Sequence, residues 1–436
     1  MTFNLATSEV NTNPKIWKLK DICSKIGSGA TPRGGESAYL DERVEYAFVR
    51  SQNVFDFKFE SSEVRFISDE SAQKLKGVHL KKDDILLNIT GDGITFSRCC
   101  IVDERILPAA VNQHVAIIRV NQEVCLPGYL LAFLCAPETK AYIASFNAGG
   151  SRRAITKGHI ESFEIPAASL KRQEAIQNIV YSIIQKIELN RETNQTLEQM
   201  AQTIFKSWFV DFDPVKAKMS GEQPEGMDEA TASLFPEKLV ESELGLIPED
   251  WEASCMGEHF NITMGQSPKG ETYNEEGEGI AFFQGRRDFG FRYPDVRVFT
   301  TDPKRYAKAD DTLISVRAPV GDKNMAAIDC CIGRGVAAIK HKSESRSFTY
   351  AFVSHIEKKL GDSGSSGTVF SSINQNELKK VSFVAPPQAL IEAFHKLVDP
   401  IDQKVQVLSG EIKSLSALRD TLLPKLLSGE IELGLC

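Results

Sequence analysis

The sequence repeats itself with a period of roughly half its length, and this repeat constrains the fold more than any other feature. The matching stretches, in chain order, are residues 29–34 with 265–270, 47–50 with 281–284, 83–89 with 310–316, and 112–116 with 333–337. Because the matches keep their order through most of each copy, we attribute them to duplication rather than to chance. The 436 residues are therefore expected to fold as two similar domains, since a single core stops growing well below this length.

Each copy has the pattern of a mixed α/β domain. Short apolar runs that follow turn residues predict strands at 85–89, 115–120, 312–316 and 336–339. The spacing of apolar residues predicts helices from Leu126 to Tyr142 and from Tyr350 to Leu360.

After each copy the apolar period changes to that of a long helix. Residues 170–212 contain no Gly or Pro, and apolar residues recur there in heptads, which is typical of a coiled-coil seam. The first run has Ile176, Ile183, Asn190, Leu197 and Ile204 at a, and Val180, Ile187, Asn194, Ala201 and Trp208 at d. The second run has Ile391, Val398, Val405 and Ile412 at a, and Phe394, Ile401, Leu408, Leu415 and Leu422 at d.

Pro400 interrupts the second heptad run. We predict that Asp399 caps a fresh helix with Pro400 at its first position, so that the long helix covers residues 400–427. A heptad helix without a partner would leave its apolar stripe in water, so the two helices are expected to pair with each other. Asn190 and Asn194 in the seam either fix its register or lie at a solvated break.

The predicted fold class is α/β (α+β), with two similar mixed α/β domains separated by two long antiparallel coiled-coil helices and related by a pseudo-twofold axis. The expected boundaries are a first domain at 1–168, a central helix at 169–212, a connector at 213–248, a second domain at 249–386 and a C-terminal helix at 387–436. The connector carries 8 acidic and 3 basic residues and thus most of the net charge of −8. The two domains are near neutral, which leaves room for a basic face on each.

Composition excludes several classes of protein. No stretch approaches the ~18 consecutive apolar residues of a membrane-spanning helix, and Met1 to Asn13 lack the apolar core of a signal peptide. A cytoplasmic protein is therefore expected. The nine cysteines include no Cys-x2-Cys pair, which favours reduced, buried thiols over a metal site.

The motifs resemble those of the DNA specificity subunits of type I restriction–modification systems. Gly29-x-Thr31-Pro32 and Gly265-Gln266-Ser267-Pro268 are similar to the opening motifs of that family's target-recognition domains. Residues 48–54 are similar to the strand and loop that follow, and residues 207–212 and 418–426 are similar to the family's helical regions. The resemblance covers nearly the whole chain.

This resemblance implies a subunit with no catalytic activity and no cofactor of its own, whose two domains each read one half of a bipartite, asymmetric site in double-stranded DNA. It implies that the paired helices set the spacer between the halves. It also implies two partner modification subunits, which bind S-adenosylmethionine and methylate adenine N6, and two restriction subunits that use ATP and Mg2+. Such an assembly serves phage defence, and no membrane partner is expected.

Two other functions are kept open, a stand-alone enzyme that modifies or cleaves DNA and a coiled-coil protein adaptor. Adenine methyltransferases use an Asn/Asp-Pro-Pro-aromatic loop, but the only Pro-Pro, Pro386-Pro387, lies between Ala385 and Gln388. The dipeptide Gly-Lys of a P-loop does not occur in the sequence. Both observations favour the non-catalytic subunit.

Side chains that read DNA are Arg or Lys on guanine and phosphate, and Asn or Gln on adenine. The candidates in the first domain are Arg33, Arg50, Gln52, Asn53, Arg98, Arg152, Arg153 and Lys157. The candidates in the second domain are Gln266, Lys269, Gln284, Arg286, Arg287, Arg292, Arg317, Lys323 and Arg334. Because two half-sites differ, base-reading residues are expected where the copies differ, as at Arg50 against Gln284 and at 112–114 against 333–335.

A second set of candidates lies on the long helices. The residues predicted to form the coiled coil or to bind a partner are Ile183, Ile187, Leu197, Ile204, Phe205, Trp208, Phe209, Val405, Leu408, Ile412, Leu415 and Leu422. Trp208 and Phe209 are adjacent, so only one can face the seam. Phe205, Phe209 and Phe212 either face a partner's helices or pack against this chain's own domains.

Overall fold

The computed structural model describes residues 15–91, 94–146, 153–362 and 372–434. The chain divides into two compact units: unit 1 is Met1–Leu189 with Lys413–Cys436, and unit 2 is Asn190–Ile412. Both divisions fall inside long helices, so each unit contains part of each long helix. Among the described residues, no helix is both long enough and apolar enough to span a membrane.

Unit 1 is built from short strands and helices that are followed by a long helix. Its strands are β1 (Ile16–Lys18), β2 (Cys23–Ser28), β3 (Tyr46–Val49), β4 (Val54–Phe55), β5 (Lys58–Phe59), β6 (Arg65–Ile67), β7 (Ile85–Asn88), β8 (Thr90–Gly91), β9 (Cys99–Ile101), β10 (Ala109–Val111), β11 (Val115–Val120), β12 (Arg153–Ala154) and β13 (Glu164–Pro166). Its helices are α1 (Leu19–Ile22), α2 (Asp69–Lys74), α3 (Pro127–Cys135), α4 (Pro137–Ser145), α5 (Lys157–Glu161), the first part of α6 (Leu170–Phe209) and the last part of α12 (Gln388–Ser428).

The centre of unit 1 is an antiparallel sheet in the order β2-β11-β7-β9. Successive residues of a strand face opposite sides, so Ile85 and Leu87 pack on α3 while Leu86 packs on a second sheet. That second sheet has the order β10-β3-β6, with β10 parallel to β3. Because both faces are covered, β7 is buried along its whole length, as its unbroken apolar run predicts.

Unit 2 contains the remaining elements. Its strands are β14 (Leu239–Ser242), β15 (Gly245–Pro248), β16 (Glu252–Cys255), β17 (Phe260–Met264), β18 (Tyr273–Asn274), β19 (Ile280–Phe283), β20 (Phe299–Thr300), β21 (Tyr306–Ala307), β22 (Thr312–Ser315), β23 (Lys323–Met325), β24 (Cys330–Ile332), β25 (Val336–His341) and β26 (Ser382–Ala385). Its helices are the last part of α6, α7 (Asp213–Met219), α8 (Glu229–Ser233), α9 (Met256–His259), α10 (Arg346–Asp362), α11 (Gln375–Lys379) and the first part of α12 (Gln388–Ser428).

Unit 2 repeats the architecture of unit 1, which confirms the predicted duplication. Its antiparallel sheet has the order β17-β25-β22-β23, and β24 runs parallel to β19 as β10 does to β3. Ile314 and Ile339 pack on the helical side with α10, whereas Leu313 packs on the second sheet with Phe283. The predicted strands at 85–89, 115–120, 312–316 and 336–339 are all present, within one or two residues at their ends.

One local helix prediction is wrong. The helix expected from Leu126 to Tyr142 is two helices, α3 and α4, which are separated at Ala136. Pro137 causes this break, because proline disfavours the helical conformation in the residue before it. The connector at 213–248 contains regular structure, namely α7, α8 and the β14–β15 hairpin. It packs into the core of unit 2 through Val215 and Phe235.

The long helices α6 and α12 pair in antiparallel fashion within each unit. In unit 1 the guanidinium of Arg172, near the start of α6, donates to the carbonyl oxygen of Leu426 at 3.0 Å, near the end of α12. In unit 2 the ring of Phe205 lies 5.9 Å from that of Phe394, near the start of α12. The predicted d positions of α6 are all buried, namely Val180, Ile187, Asn194, Ala201 and Trp208.

The prediction that α12 restarts at Pro400 is wrong. The helix is continuous from Gln388 to Ser428, and Asp399 accepts hydrogen bonds from Arg346 and Gln403 instead of capping a helix end. Proline removes the hydrogen bond to the carbonyl four residues earlier, here that of Lys396. Lys396 and Pro400 are both exposed, so water can satisfy that carbonyl. The buried face of the helix, with Phe394, Val398 and Val405, passes this point without interruption.

Asn190 and Asn194 are buried in unit 2, each with 2% of its surface exposed. The side-chain nitrogen of Asn194 donates to the Ser409 hydroxyl of α12 at 3.3 Å. A bond from one helix to the other is expected of a residue that fixes register, so for Asn194 the structure favours that role over a solvated break.

A candidate nucleic-acid interface in each unit

In unit 2, the loops that follow β17, β19, β22 and β24 meet at one end of the sheets. The backbone N–H of Gln266, after β17, donates to the carbonyl of Ile332 at 2.9 Å. The N–H of Gly333, after β24, donates to the carbonyl of Phe283 at 2.8 Å, and that of Val316, after β22, donates to Gly335 at 2.9 Å. We call this set of linked loops the loop frame of unit 2.

The turn Gly333-Arg334-Gly335 lies at the centre of this loop frame. A Cβ atom on Gly335 would lie 2.5 Å from the carbonyl oxygen of Gln284, so the turn passes directly over the loop after β19. On the other side, the N–H of Arg334 donates to the Ser267 hydroxyl at 3.2 Å. Arg334 therefore stands between the loop of Gln284 and the loop of Gln266.

Unit 1 has the same loop frame, held by matching backbone hydrogen bonds. Ala30 donates to Val111 at 2.9 Å, Asn112 to Val49 at 3.0 Å and Ile89 to His114 at 3.0 Å. These bonds correspond to those of Gln266, Gly333 and Val316 in unit 2. Because backbone groups make these bonds, the two frames keep one shape while their side chains differ.

The glycine that opens each frame is required by close packing. A Cβ atom on Gly29 would lie 2.1 Å from the carbonyl oxygen of Val111, and one on Gly265 would lie 2.1 Å from that of Gly333. No side chain fits at that distance, so both loops need glycine there. This explains in physical terms why the repeat begins with the same residue in both copies.

Several polar side chains on the frame of unit 2 are free to meet a ligand. Among the described residues, the side chains of Gln266, Gln284, Arg287, Arg317 and Arg334 are exposed and have no hydrogen-bond or ion-pair partner. Unpaired guanidinium and amide groups on one rigid surface are suited to phosphate oxygens and base edges.

Three further cations of unit 2 have acidic partners. Arg286 forms an ion pair with Asp322, Lys269 lies 3.8 Å from Glu271, and Lys323 lies 2.6 Å from Glu357. Arg286 and Lys269 are exposed, so their pairs exchange readily with solvent and leave them able to contact an anion. Lys323 is half-buried, and its Nζ atom lies 5.6 Å from the centre of the Tyr350 ring, so it is held by neighbouring groups of unit 2.

The prediction that Arg292 contacts DNA is wrong. Arg292 is 2% exposed, and its guanidinium binds Glu198 of α6 and Asp402 of α12, each at 2.5 Å. Its Cζ atom lies 3.5 Å from the centre of the Tyr350 ring. Burial alone lowers the pKa of Arg292, but Tyr350, Glu198 and Asp402 together raise it above its usual value, so the group stays charged.

In unit 1, some candidate side chains are exposed, whereas others contact neighbouring side chains or backbone groups. Arg33 is exposed and has no hydrogen-bond or ion-pair partner among the described residues, and Lys157 lies 3.4 Å from Glu161 on the surface of α5. Gln52 donates to the Glu63 carboxylate at 2.7 Å. Arg50 donates to the carbonyl of Glu63 at 3.1 Å and lies over the Tyr39 ring, whereas Arg98 lies 4.3 Å from the centre of the Phe55 ring.

Asn53 is a second correction, because it is fully buried. Its side-chain oxygen accepts the N–H of Arg50 at 2.9 Å, and its nitrogen donates to the carbonyl of Glu60 at 3.0 Å. It shapes the loop and cannot reach a base. Arg152 lies outside the described residues, and of Arg153 only the backbone is described, which pairs in β12 with Gly91 of β8.

Two residues of the stretch 112–114, where the two copies differ and base readers were expected, lie on the loop frame of unit 1. Gln113 is exposed at the tip of the turn that corresponds to Gly333–Gly335, and its amide nitrogen lies 3.1 Å from Nε2 of His114. The other ring nitrogen of His114 is 2.7 Å from the Thr90 hydroxyl. The repeat singles out Gln113 because it aligns with Arg334.

The candidates on the long helices lie in or beside the seam. Ile187, Phe205, Trp208, Phe209, Val405 and Leu408 are buried, and Ile183, Leu197, Ile204, Ile412, Leu415 and Leu422 are half-buried. Phe205 and Phe209 pack on Phe348 and Phe394, and Phe212 packs on Trp251. Of the two alternatives for these phenylalanines, the structure therefore supports packing within unit 2 of this chain.

Comparison with known proteins gives consistent results. Residues 12–199 and 248–415 both match the model of the type I restriction modification DNA specificity domain. A putative type I restriction enzyme MjaX specificity subunit from Methanocaldococcus jannaschii is 28% identical over 98% of this chain and 96% of its own. The type I restriction enzyme HindI specificity subunit from Haemophilus influenzae is 29% identical over 88% of this chain and 94% of its own. The crystal structure of a type I restriction–modification S subunit from M. genitalium shares the fold, with a TM-score of 0.55 and 17% identity over 97% of this chain and 98% of its own.

Proposed function

The chain belongs to the type I restriction–modification DNA specificity family, and on that basis we propose that each unit reads one half of a bipartite DNA site through its loop frame. The observation that carries this proposal is that one backbone frame occurs twice with different side chains at matched positions. A protein that reads two unlike half-sites needs such a pair of surfaces.

The chain acts without catalysis in this proposal, as a cytoplasmic protein with no cofactor of its own. Modification subunits that bind S-adenosylmethionine, and restriction subunits that use ATP and Mg2+, assemble on it in pairs. The paired helices determine the spacer between the half-sites. The names of the relatives and the double match to a DNA specificity domain support this assignment.

The test is the methylome of the host with and without this gene. We expect a split adenine motif that disappears on deletion and returns when the gene is restored. Replacement of residues 249–386 by the matching segment of another specificity subunit should change one half of that motif and leave the other half unchanged. An unaltered methylome after deletion would contradict the proposal.

A control distinguishes the stand-alone enzyme. The purified chain, incubated with DNA, Mg2+ and S-adenosylmethionine, should neither methylate nor cleave, whereas the assembled complex should protect its site. Methylation or cleavage by the chain alone would replace the proposal with the enzyme hypothesis.

A further inference from the structure

The central turn of each loop frame differs in the side chain at its tip. Unit 1 has Gln113 there and unit 2 has Arg334, and both side chains are exposed. The turns are held alike, since Val115 donates to Asn112 at 3.2 Å and Val336 donates to Gly333 at 2.9 Å. The two tips therefore occupy the same position in their units and offer different hydrogen-bonding groups.

We propose that this tip residue selects a base in each half-site, with Arg334 reading a guanine and Gln113 reading an adenine. The inference depends on the proposed function and names the residues that set its specificity. Arg presents two donors that match O6 and N7 of guanine, and Gln presents a donor and an acceptor that match N7 and N6 of adenine.

The position of Arg334 favours a base over a phosphate. The turn that carries it lies against the loop of Gln284 on one side and the loop of Ser267 on the other. Exposed cations, Lys269 and Arg287, lie on these neighbouring loops and are suited to the phosphates on either side. Glycines on both sides of Arg334 keep the turn narrow, so that a single long side chain projects from it.

In unit 1, His114 orients the tip residue. Its ring is held by the Thr90 hydroxyl at 2.7 Å and lies 3.1 Å from the Gln113 amide nitrogen. That nitrogen can only donate, so the amide is presented with its oxygen directed away from the ring. A fixed amide orientation is what bidentate recognition of adenine requires.

The experiment uses the full chain assembled with its modification subunit and a plasmid library in which both half-sites are randomised. Methylated sequences are read from the wild type and from the variants Arg334→Ala, Arg334→Gln and Gln113→Ala. Arg334→Ala should lose a preference for guanine of roughly 5- to 150-fold at a single position of one half-site. Arg334→Gln should shift the base preference at that position toward adenine. Gln113→Ala should weaken the preference for adenine at one position of the other half-site.

Each variant carries its own control, because the half-site read by the unaltered unit must remain unchanged if the protein is folded. Arg287→Ala is the matched control for a phosphate contact, and should weaken all sequences alike while reducing the slope of log affinity against log salt by about 0.9.

Two results would overturn the inference. One is a methylation motif that is unchanged by Arg334→Ala and Gln113→Ala, and the other is an equal loss of base preference at every position of a half-site. Failure of the proposed function gives a different result, since the wild type itself would then yield no split motif.

Discussion

Removal of Arg292 should destabilise unit 2 strongly, because it would leave two carboxylates facing each other in the interior. Asp402 is 2% exposed, and Glu198 retains 19% of its side-chain surface. Breaking a buried ion pair by removing one partner costs about 3–5 kcal/mol. We therefore expect Arg292→Met to lower the free energy of unfolding of unit 2 by about 3–5 kcal/mol at neutral pH.

The assay is urea unfolding of the full chain followed by tryptophan fluorescence. Trp208 and Trp251 are both buried in unit 2, whereas Trp17 belongs to unit 1, so the measurement uses a Trp17→Phe background in which the fluorescence reports unit 2. Hydrogen exchange of α10 provides a second readout. The triple variant Arg292→Met, Glu198→Met, Asp402→Leu should recover most of the loss, because an apolar cluster needs no counter-ion.

Lys58 provides the matched control, since it aligns with Arg292 when residues 47–50 are aligned with 281–284. It lies 3.2 Å from Glu188 of α6, but its side chain is 38% exposed. Lys58→Met should cost less than about 1 kcal/mol. The buried ion pairs do not have the assigned role if Arg292→Met costs no more than Lys58→Met, or if the triple variant is no more stable than the single one.

Three further predictions concern unit 2. Burial and the charges of neighbouring groups lower the pKa of His341 to about 4 in the folded protein, below its unfolded value of 6.5. The free energy of unfolding is therefore highest above pH 6.5 and decreases as the pH falls, by about 2 kcal/mol at pH 5 in urea titrations. His341→Phe should abolish this pH dependence. Gly265→Ala, whose Cβ would lie 2.1 Å from a carbonyl oxygen, should lower the free energy of unfolding by at least about 1–3 kcal/mol in thermal unfolding. Gly270→Ala, with open space around its Cβ, should leave it nearly unchanged in the same measurement. Phe394→Ala should cost about 3–5 kcal/mol, against about 0.5 kcal/mol or less for the exposed Leu397→Ala; similar melting temperatures for that pair would contradict the assigned core.

Patterns that depend on neighbours in sequence were predictable. The apolar runs of β7 and β22 identify buried strands because a strand covered on both faces needs apolar side chains at every position. The heptads of α6 correctly identify its buried d positions, since helix geometry alone determines which residues share a face. The duplication was also predictable from the sequence, because the matched motifs of the two copies form matched loops in the two units.

Features that depend on distant contacts were not predictable from the sequence. Nothing near Arg292 in the sequence indicates that Glu198 and Asp402 neutralise it. The residue type alone does not distinguish a buried arginine from an exposed one. Asn53 differs in that its partners Arg50 and Glu60 are near in sequence, but they bind it through backbone groups, which the residue types do not indicate. The continuity of α12 through Pro400 follows from the long apolar face on both sides of it, which local propensity underestimates.

The loop frames have a consequence for how such a protein can change over time. Their shape comes from main-chain bonds and from glycines, while the tips that carry Gln113 and Arg334 project into solvent. A substitution at a tip therefore costs little folding free energy. Under the proposed reading of half-sites, new target sequences would arise by single replacements in one half of the molecule, while the other half would continue to recognise what it did before.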